Sequence, residues 1–133
     1  MEARSNMIKK ILKGTGIGIT PAIESTVDKA IQHLDKYVDK DDTSALAEIE
    51  VGRTTIHHKS GDIFRAEINF HSRLGSFRAE AEKQDLYAAL YAAKDELVEA
   101  LRSKKSKRID FVRRSGLAVK NMLKGLPWRR KGK

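Results

Sequence analysis

Lysine and arginine are concentrated at the C-terminal end of this chain. The last 32 residues contain 13 of them against one acid, Asp110, which gives a local charge of +12. The whole chain carries +9, so residues 1–101 carry −3, from 14 basic and 17 acidic side chains. Each phosphate that a lysine or arginine neutralises releases condensed counterions and so adds affinity for a polyanion such as RNA. This segregation of charge predicts that the C-terminal end binds nucleic acid.

The same end contains apolar residues that a purely solvating tail would not need. Residues Ser115–Lys124 are predicted to form a short helix that orders on binding, because isolated helices below about 12–15 residues are marginal in water. Trp128, between Pro127 and Arg129, is suited to stack on an unpaired base. Two alternatives stay open: Trp128 packs onto the core, or the tail is an inert solvated segment. The side chains predicted to bind RNA are Arg102, Lys104, Lys105, Lys107, Arg108, Arg113, Arg114, Lys120, Lys124, Trp128, Arg129 and Arg130.

Other residues that could do chemistry lack the partners that the chemistry needs. The chain has no cysteine, which excludes disulfides and zinc sites built on thiolates. His57 and His58 are adjacent but have no third ligand nearby in the sequence, and adjacent histidines of this kind are usually solvated. Glu80 and Glu82 would share one strand face, yet nothing indicates a pocket that would raise either pKa for acid–base work. We expect no enzyme, no metal and no cofactor.

The elements around these residues follow from hydrophobic spacing. An aliphatic run at Met7–Lys13 predicts a strand, and the glycines at 14, 16 and 18 predict a turn after it. Thr20-Pro21 predicts the start of a helix that ends near Tyr37, with Thr20 as N-cap. Three alternating runs predict antiparallel strands at 45–52, 64–71 and 77–82, and Asp85 is expected to cap a second helix. The predicted fold is α+β, in the order β-α-β-β-β-α, with a four-stranded sheet and two helices on one face.

The open face of that sheet is predicted to be polar. Acids outnumber bases on it, and it presents no aromatic residue on which a base could stack. We therefore expect RNA contacts from the helix flanks and the basic tail, a pattern suited to backbone and shape recognition. The nine predicted open-face residues are Glu48, Glu50, Arg65, Glu67, Asn69, His71, Arg78, Glu80 and Glu82.

Two runs of sequence resemble a known family. Phe77–Leu90, FRAEAEKQDLYAAL, looks like the signature of the short ribosome hibernation-promoting and ribosome-associated inhibitor family. Gly18–Ile23, GITPAI, is similar to that family's entry from strand to helix. With the order of elements, the resemblance covers roughly residues 7–107.

The resemblance implies a double-stranded-RNA-binding-like fold that sits in the mRNA and tRNA channel of the small ribosomal subunit and silences translation. It also implies contacts from basic residues along the second helix, a pattern that Arg102 and Lys105 match. Glu96 and Glu99 stand where the family often has a base, and Tyr91 stands where it commonly has an acid. The implied partners are small-subunit rRNA and the whole ribosome. Off the ribosome we expect a monomer, because the residues after Ile109 are too few and too basic for the dimerisation domain of longer family members.

We expect a ribosome-binding domain at residues 1–108 and a basic extension at 109–133. No signal peptide or membrane span is recognisable, so a cytoplasmic protein without membrane or DNA partners is predicted. One alternative is a peripheral membrane or protein-partner module that uses the tail as a cationic amphipathic helix. The apolar groups of the tail are short and are interrupted by Gly116, Gly125 and Pro127, which disfavours a continuous lipid-facing stripe and so this alternative. Another is a constitutive ribosomal protein, which would be present on translating ribosomes.

Overall fold

The order of elements is the predicted one. The computed structural model describes residues 8–54 and 62–124, with side chains described within those ranges as far as residue 116. Within these ranges six elements follow one another: β1 (Lys9–Thr15), α1 (Pro21–Asp35), β2 (Leu46–Thr54), β3 (Ile63–Ser72), β4 (Gly75–Lys83) and α2 (Leu86–Lys124).

The four strands form one mixed sheet in the order β1-β2-β3-β4. β2, β3 and β4 pair antiparallel, as their alternation predicted. β1 pairs parallel to β2, because α1 carries the chain back before β2 begins. In this register Ile11 lies beside Glu48, Glu48 beside Asn69 and Asn69 beside Arg78, so one row of side chains crosses all four strands. These rows build the open face of the sheet.

Both helices pack against the opposite face of the sheet. The buried apolar residues of α1, from Ile23 to Leu34, lie on one side of the helix and join one hydrophobic cluster with α2 and the inward side chains of the strands. Fully burying one such aliphatic side chain contributes about 1.5–3 kcal/mol, so this cluster dominates the stability of the domain. The last residue of α2 in the cluster is Leu101.

Both predicted helix caps are present. Thr20 Oγ1 accepts a hydrogen bond from the backbone N–H of Ile23 at 3.2 Å, and Pro21 opens α1 where its missing N–H has no partner to lose. At the start of α2, Asp85 Oδ2 accepts from the N–H of Ala88 at 2.9 Å. Each cap satisfies a backbone donor that the helix itself leaves unpaired.

One buried carboxylate joins two loops. Asp42, only 1% exposed, lies between α1 and β2. It accepts hydrogen bonds from Ser44 Oγ at 2.5 Å, from the backbone N–H of Arg73 at 2.8 Å and from the backbone N–H of Ser44 at 2.9 Å. These bonds, led by the Ser44 hydroxyl, hold the pKa of Asp42 below its ordinary value. The connection before β2 is thereby tied to the β3–β4 turn.

Two predicted boundaries shift at the N-terminal end of the domain. β1 extends to Thr15, so Gly14 lies inside the strand and not at its end. A Cβ at Gly14 would lie 2.7 Å from the carbonyl oxygen of Ile17, which explains why the close return of the chain takes a glycine there. The turn itself uses Gly16, with a φ of +74°. α1 ends at Asp35, two residues before the predicted Tyr37.

The prediction of a separate short helix at Ser115–Lys124 is wrong. Those residues are the last turns of α2, which runs for 39 residues and passes through Gly116. A glycine inside a helix costs only about 1 kcal/mol, and propagating an existing helix is far easier than nucleating a new one. Gly116 therefore lies inside one continuous helix. Gly125 and Pro127 lie outside the described residues.

The chain divides into two compact units, Met1–Arg102 and Ser103–Lys133. The first contains the sheet, α1 and the core-forming turns of α2. The second is the C-terminal part of α2 with the residues that follow it. The boundary at 108 and 109 that the sequence suggested stays a prediction.

Candidate nucleic-acid interface

Six predicted RNA-binding cations lie on the described turns of α2 in the second unit. We call the segment Ser103–Ser115 the extension helix. Its lysines and arginines are exposed, except Lys105, which is partly exposed. Within the described residues none of the six makes an ion pair or a side-chain hydrogen bond, so their charge is uncompensated there. The six are Lys104, Lys105, Lys107, Arg108, Arg113 and Arg114.

The extension helix also exposes large apolar side chains. Ile109 is 47% exposed, Phe111 is 63% exposed and Val112 is 60% exposed. They lie among the cations and do not belong to the hydrophobic cluster of the domain. Apolar side chains can contact ribose and base faces, while neighbouring guanidinium groups contact phosphates. This combination is typical of proteins that bind folded or single-stranded RNA.

The remaining predicted site residues differ in what surrounds them. Arg102, in the first unit, is paired with Glu99 one turn earlier, and the hydrogen bond to Glu99 raises the pKa of Arg102. Lys120 and Lys124 fall in the last turns of α2, where only the backbone is described. Trp128, Arg129 and Arg130 lie outside the described residues.

The central turns of α2 are not basic. Lys94 is largely covered and its Nζ lies 2.7 Å from Asp95 Oδ1, while Glu96 and Glu99 are exposed. The exposed charges between Asp95 and Glu99 are therefore acidic. Such a surface repels phosphate, so the basic character of α2 begins only near Arg102.

A network of two arginines and two glutamates spans β3 and β4 on the open face of the sheet. Arg78 Nε donates to Glu67 Oε2 at 2.6 Å and Arg78 Nη2 to Glu80 Oε1 at 3.0 Å. Arg65 Nη2 donates to Glu67 Oε1 at 2.8 Å and also to Glu80. Each arginine thus meets both carboxylates. We call Arg65, Glu67, Arg78 and Glu80 the sheet network.

The sheet network fixes the charge state of its most covered member. The Glu67 side chain is only 13% exposed. The hydrogen bond from Arg78 lowers the pKa of Glu67 to about 2 from its ordinary 4.5; bonds from Asn69 and Arg65 act in the same direction, and partial burial opposes them. Glu67 is therefore ionised at neutral pH and neutralises its arginine neighbours.

β1 contributes two cations that the predicted open face omitted. By the parallel register, Lys9 and Lys13 lie in the same rows as Leu46 and Glu50. With them the described open face carries five acids and four lysines or arginines. Spacing within β1 does not reveal these two cations, because Ile11 is exposed on the open face and Lys10 lies between buried Ile8 and partly buried Leu12, so apolar and polar residues do not alternate.

Neither a metal cluster nor a membrane-spanning helix is found in the described residues. Within residues 8–54 and 62–116, no three histidine, aspartate or glutamate side chains are grouped so that they could hold a metal ion. His57 and His58 lie outside those residues. In the part of the chain that the structure describes, no helix is long and apolar enough to cross a membrane.

Comparison with known proteins extends these findings. The family model described as "Sigma 54 modulation protein / S30EA ribosomal protein" matches residues 11–109. The N-terminal domain of Protein Y from Thermus thermophilus superimposes with a TM-score of 0.59 at 33% identity, over 72% of this chain and 96% of that one. A ribosomal subunit interface protein from Coxiella burnetii shares the fold, with a TM-score of 0.54 at 16% identity, over 74% of this chain and 98% of that one. No curated protein sequence matches the chain significantly.

Proposed function

The chain belongs to the sigma 54 modulation protein / S30EA ribosomal protein family, and we propose that it silences translation by occupying the mRNA and tRNA channel of the small ribosomal subunit. Membership makes it a ribosome-associated modulation factor of the hibernation class. Association with ribosomes implies work in the cytoplasm, with rRNA and the whole ribosome as partners and no chemical step on the RNA.

The uncompensated cations of the extension helix are the observation that carries RNA binding. An exposed lysine or arginine without a carboxylate partner can bind a phosphate without first breaking an ion pair. Each such contact therefore contributes the whole free energy of counterion release to RNA affinity. The three exposed apolar residues beside them add surface for ribose and base contacts. Lys120, Lys124, Trp128, Arg129 and Arg130 belong to the same proposed contact surface, because they continue the basic sequence.

The folded domain acts in this proposal mainly as a plug. Its open sheet face offers no phenylalanine, tyrosine or tryptophan among the described residues, and its arginines already face glutamates. It is therefore poorly suited to read bases on the sheet, as RNA-recognition modules do. Shape and volume suffice to exclude mRNA and initiator tRNA from a channel that the domain fills.

Sedimentation with purified ribosomes at increasing salt tests binding. Affinity should be high at low salt and should fall steeply, since each phosphate contact adds roughly 0.7–0.9 to the slope of log affinity against log salt. Binding that is absent at low salt, or indifferent to salt, contradicts the proposal.

The order of addition in a cell-free translation system tests the channel. If the protein competes with mRNA and initiator tRNA for space, adding it before initiation should inhibit more than adding it afterwards. Equal inhibition at both times, or cleavage of rRNA, would point to another mechanism. Presence on actively translating ribosomes would instead indicate a constitutive ribosomal protein.

A further inference from the structure

The cations of the extension helix are spread around its whole circumference. Successive residues of an α-helix are rotated by about 100°. Lys104 and Arg108, one turn apart, therefore share one side, and Lys107 and Arg114, two turns apart, share a second side about 90° away. Lys105 and Arg113 define two further sides. Each of the four sides is separated from the next by roughly 80–110°.

The exposed apolar residues do not have a side of their own. By the same rotation, Phe111 falls between the directions of Lys107 and Lys104, and Val112 falls between those of Arg108 and Lys105. A helix that lies on a lipid surface instead segregates a broad apolar face from a cationic one. On a flat anionic surface of any kind, the cations on the far side of this helix would stay in water and add little.

From this distribution we propose that the extension helix is enclosed by folded RNA, with phosphates approaching it from opposite sides. The inference rests on the proposed function and adds the shape of the RNA partner. Charge complementarity supports it, because the helix carries five exposed cations and the partly exposed Lys105 but only one acid, Asp110. An enclosing polyanion is the one surface that all six can meet at once.

The dimensions of the helix restrict that RNA further. An α-helix with its side chains is about 10–12 Å across, whereas the major groove of regular A-form RNA is too narrow and deep for side chains to read. The site is therefore a widened groove, a junction or a passage between RNA helices, and not an uninterrupted duplex. There Ile109, Phe111 and Val112 meet ribose and base faces while the cations meet phosphates.

Directed cleavage of RNA from opposite sides of the helix tests enclosure. Ser106 and Ser115 are nine residues apart, which is about two and a half turns, so they point in opposite directions. The natural chain has no cysteine, so Ser106→Cys and Ser115→Cys each create a single attachment point for an iron chelate that generates hydroxyl radicals. Each labelled full-length chain is bound to small subunits, and the cleaved rRNA positions are mapped. The natural chain, treated identically, gives the background.

Enclosure predicts rRNA cleavage from both positions, at different nucleotides. Cleavage from only one position, with binding intact, overturns the inference and leaves the proposed function standing. Failure of the natural chain to sediment with ribosomes at low salt overturns the proposed function and the inference with it.

Paired alanine variants give an independent measure. Lys104→Ala with Arg108→Ala, and Lys107→Ala with Arg114→Ala, remove two cations each from different sides and keep helix propensity. Each pair should make the salt slope shallower by roughly 1.4–1.8. Lys40→Ala with Lys83→Ala is the matched control, since it removes two exposed cations outside the helices, and it should leave the slope nearly unchanged. A loss confined to one helix pair, or binding to anionic lipid vesicles as tight as to ribosomes, overturns enclosure.

Discussion

The open sheet face and the extension helix both contain arginines, but only those of the sheet are held by carboxylates. Arg65 and Arg78 each contact Glu67 and Glu80. In the described part of the extension helix, Arg108, Arg113 and Arg114 have no such partner. Every arginine described within residues 8–54 and 62–102 is ion-paired, including Arg53 with Asp62 and Arg73 with Asp41. From this difference we expect the affinity of a surface for phosphate to depend on the pairing of its cations with carboxylates as well as on their number.

The arginines of the sheet and the cations of the extension helix differ in what they contribute to the stability of the domain. Cross-strand pairs of opposite charge stabilise a sheet by about 0.2–1 kcal/mol each, and an arginine in such a pair must give up a carboxylate before it can bind a phosphate. The arginines of the sheet network therefore contribute to the fold, and we expect them to contribute little to RNA binding. The cations of the extension helix contribute nothing to the core, which ends at Leu101, and are available to a partner.

Deleting Ile109–Lys133 should produce the largest effect. The deletion removes eight bases and one acid, a change of −7 in net charge, but no residue of the hydrophobic cluster. We expect the thermal melting point to change little, while ribosome affinity falls by at least about tenfold at physiological salt and the salt slope becomes shallower by up to about 7. A paired melt and binding titration checks both quantities. A sharply lowered melting point would show that the tail belongs to the core, and unchanged affinity would show that it is inert.

Asp42→Ala should have the opposite signature, a loss of stability without a loss of RNA affinity. It leaves the N–H groups of Ser44 and Arg73 without their acceptor at a site that is 1% exposed. We expect the free energy of unfolding to fall by about 2–4 kcal/mol, measured by urea denaturation. Asp41→Ala is the matched control, because Asp41 is exposed and pairs only with Arg73; it should cost less than about 1 kcal/mol. Similar losses of unfolding free energy in both variants would refute the role of Asp42 in tying the connection before β2 to the β3–β4 turn.

Hydrophobic spacing and caps were enough to predict the domain, because its strands alternate in the period of two and its helices bury one stripe each. The parallel pairing of β1 and the inclusion of Lys9 and Lys13 in the open face depend on register, which spacing within β1 alone does not supply. The hydrogen bond from the backbone N–H of Arg73 to Asp42 joins residues 31 positions apart, and no local sequence pattern indicates such a contact. The sequence does not predict the continuity of α2, because the apolar spacing that marks this helix ends at Leu101 and the residues after it do not pack on the core.

The stability of the domain should depend on pH through Glu67 of the sheet network. Because the folded-state pKa of Glu67 is about 2, below its ordinary 4.5, its contribution is complete above pH 4.5 and is lost as the pH falls toward 2. We expect this contribution to be on the order of 1–2 kcal/mol after allowance for solvent screening. Urea denaturation between pH 7 and pH 2.5 should show Glu67→Gln less stable at neutral pH, with the difference narrowing in acid. A constant difference across that range would contradict the proposed role of its charge.

Removing a carboxylate that pairs with the arginines of the sheet network should give the smallest effect. It tests directly whether ion pairing limits the affinity of these arginines for RNA. Glu80 is 47% exposed and accepts from both Arg65 and Arg78, whereas Glu82, exposed two residues later on the same face, makes no ion pair within the described residues. Glu80→Gln and Glu82→Gln change the net charge equally, but only Glu80→Gln removes a carboxylate that pairs with Arg65 and Arg78. A difference in RNA affinity between the two variants therefore comes from those arginines. In the chain lacking Ile109–Lys133, checked for folding as above, Glu80→Gln should raise affinity for single-stranded RNA a few-fold and steepen the salt slope by up to about 1. Glu82→Gln should do less on both measures. If the two variants gain affinity equally, net charge alone governs how the open face meets RNA, and the sheet network does not restrain it.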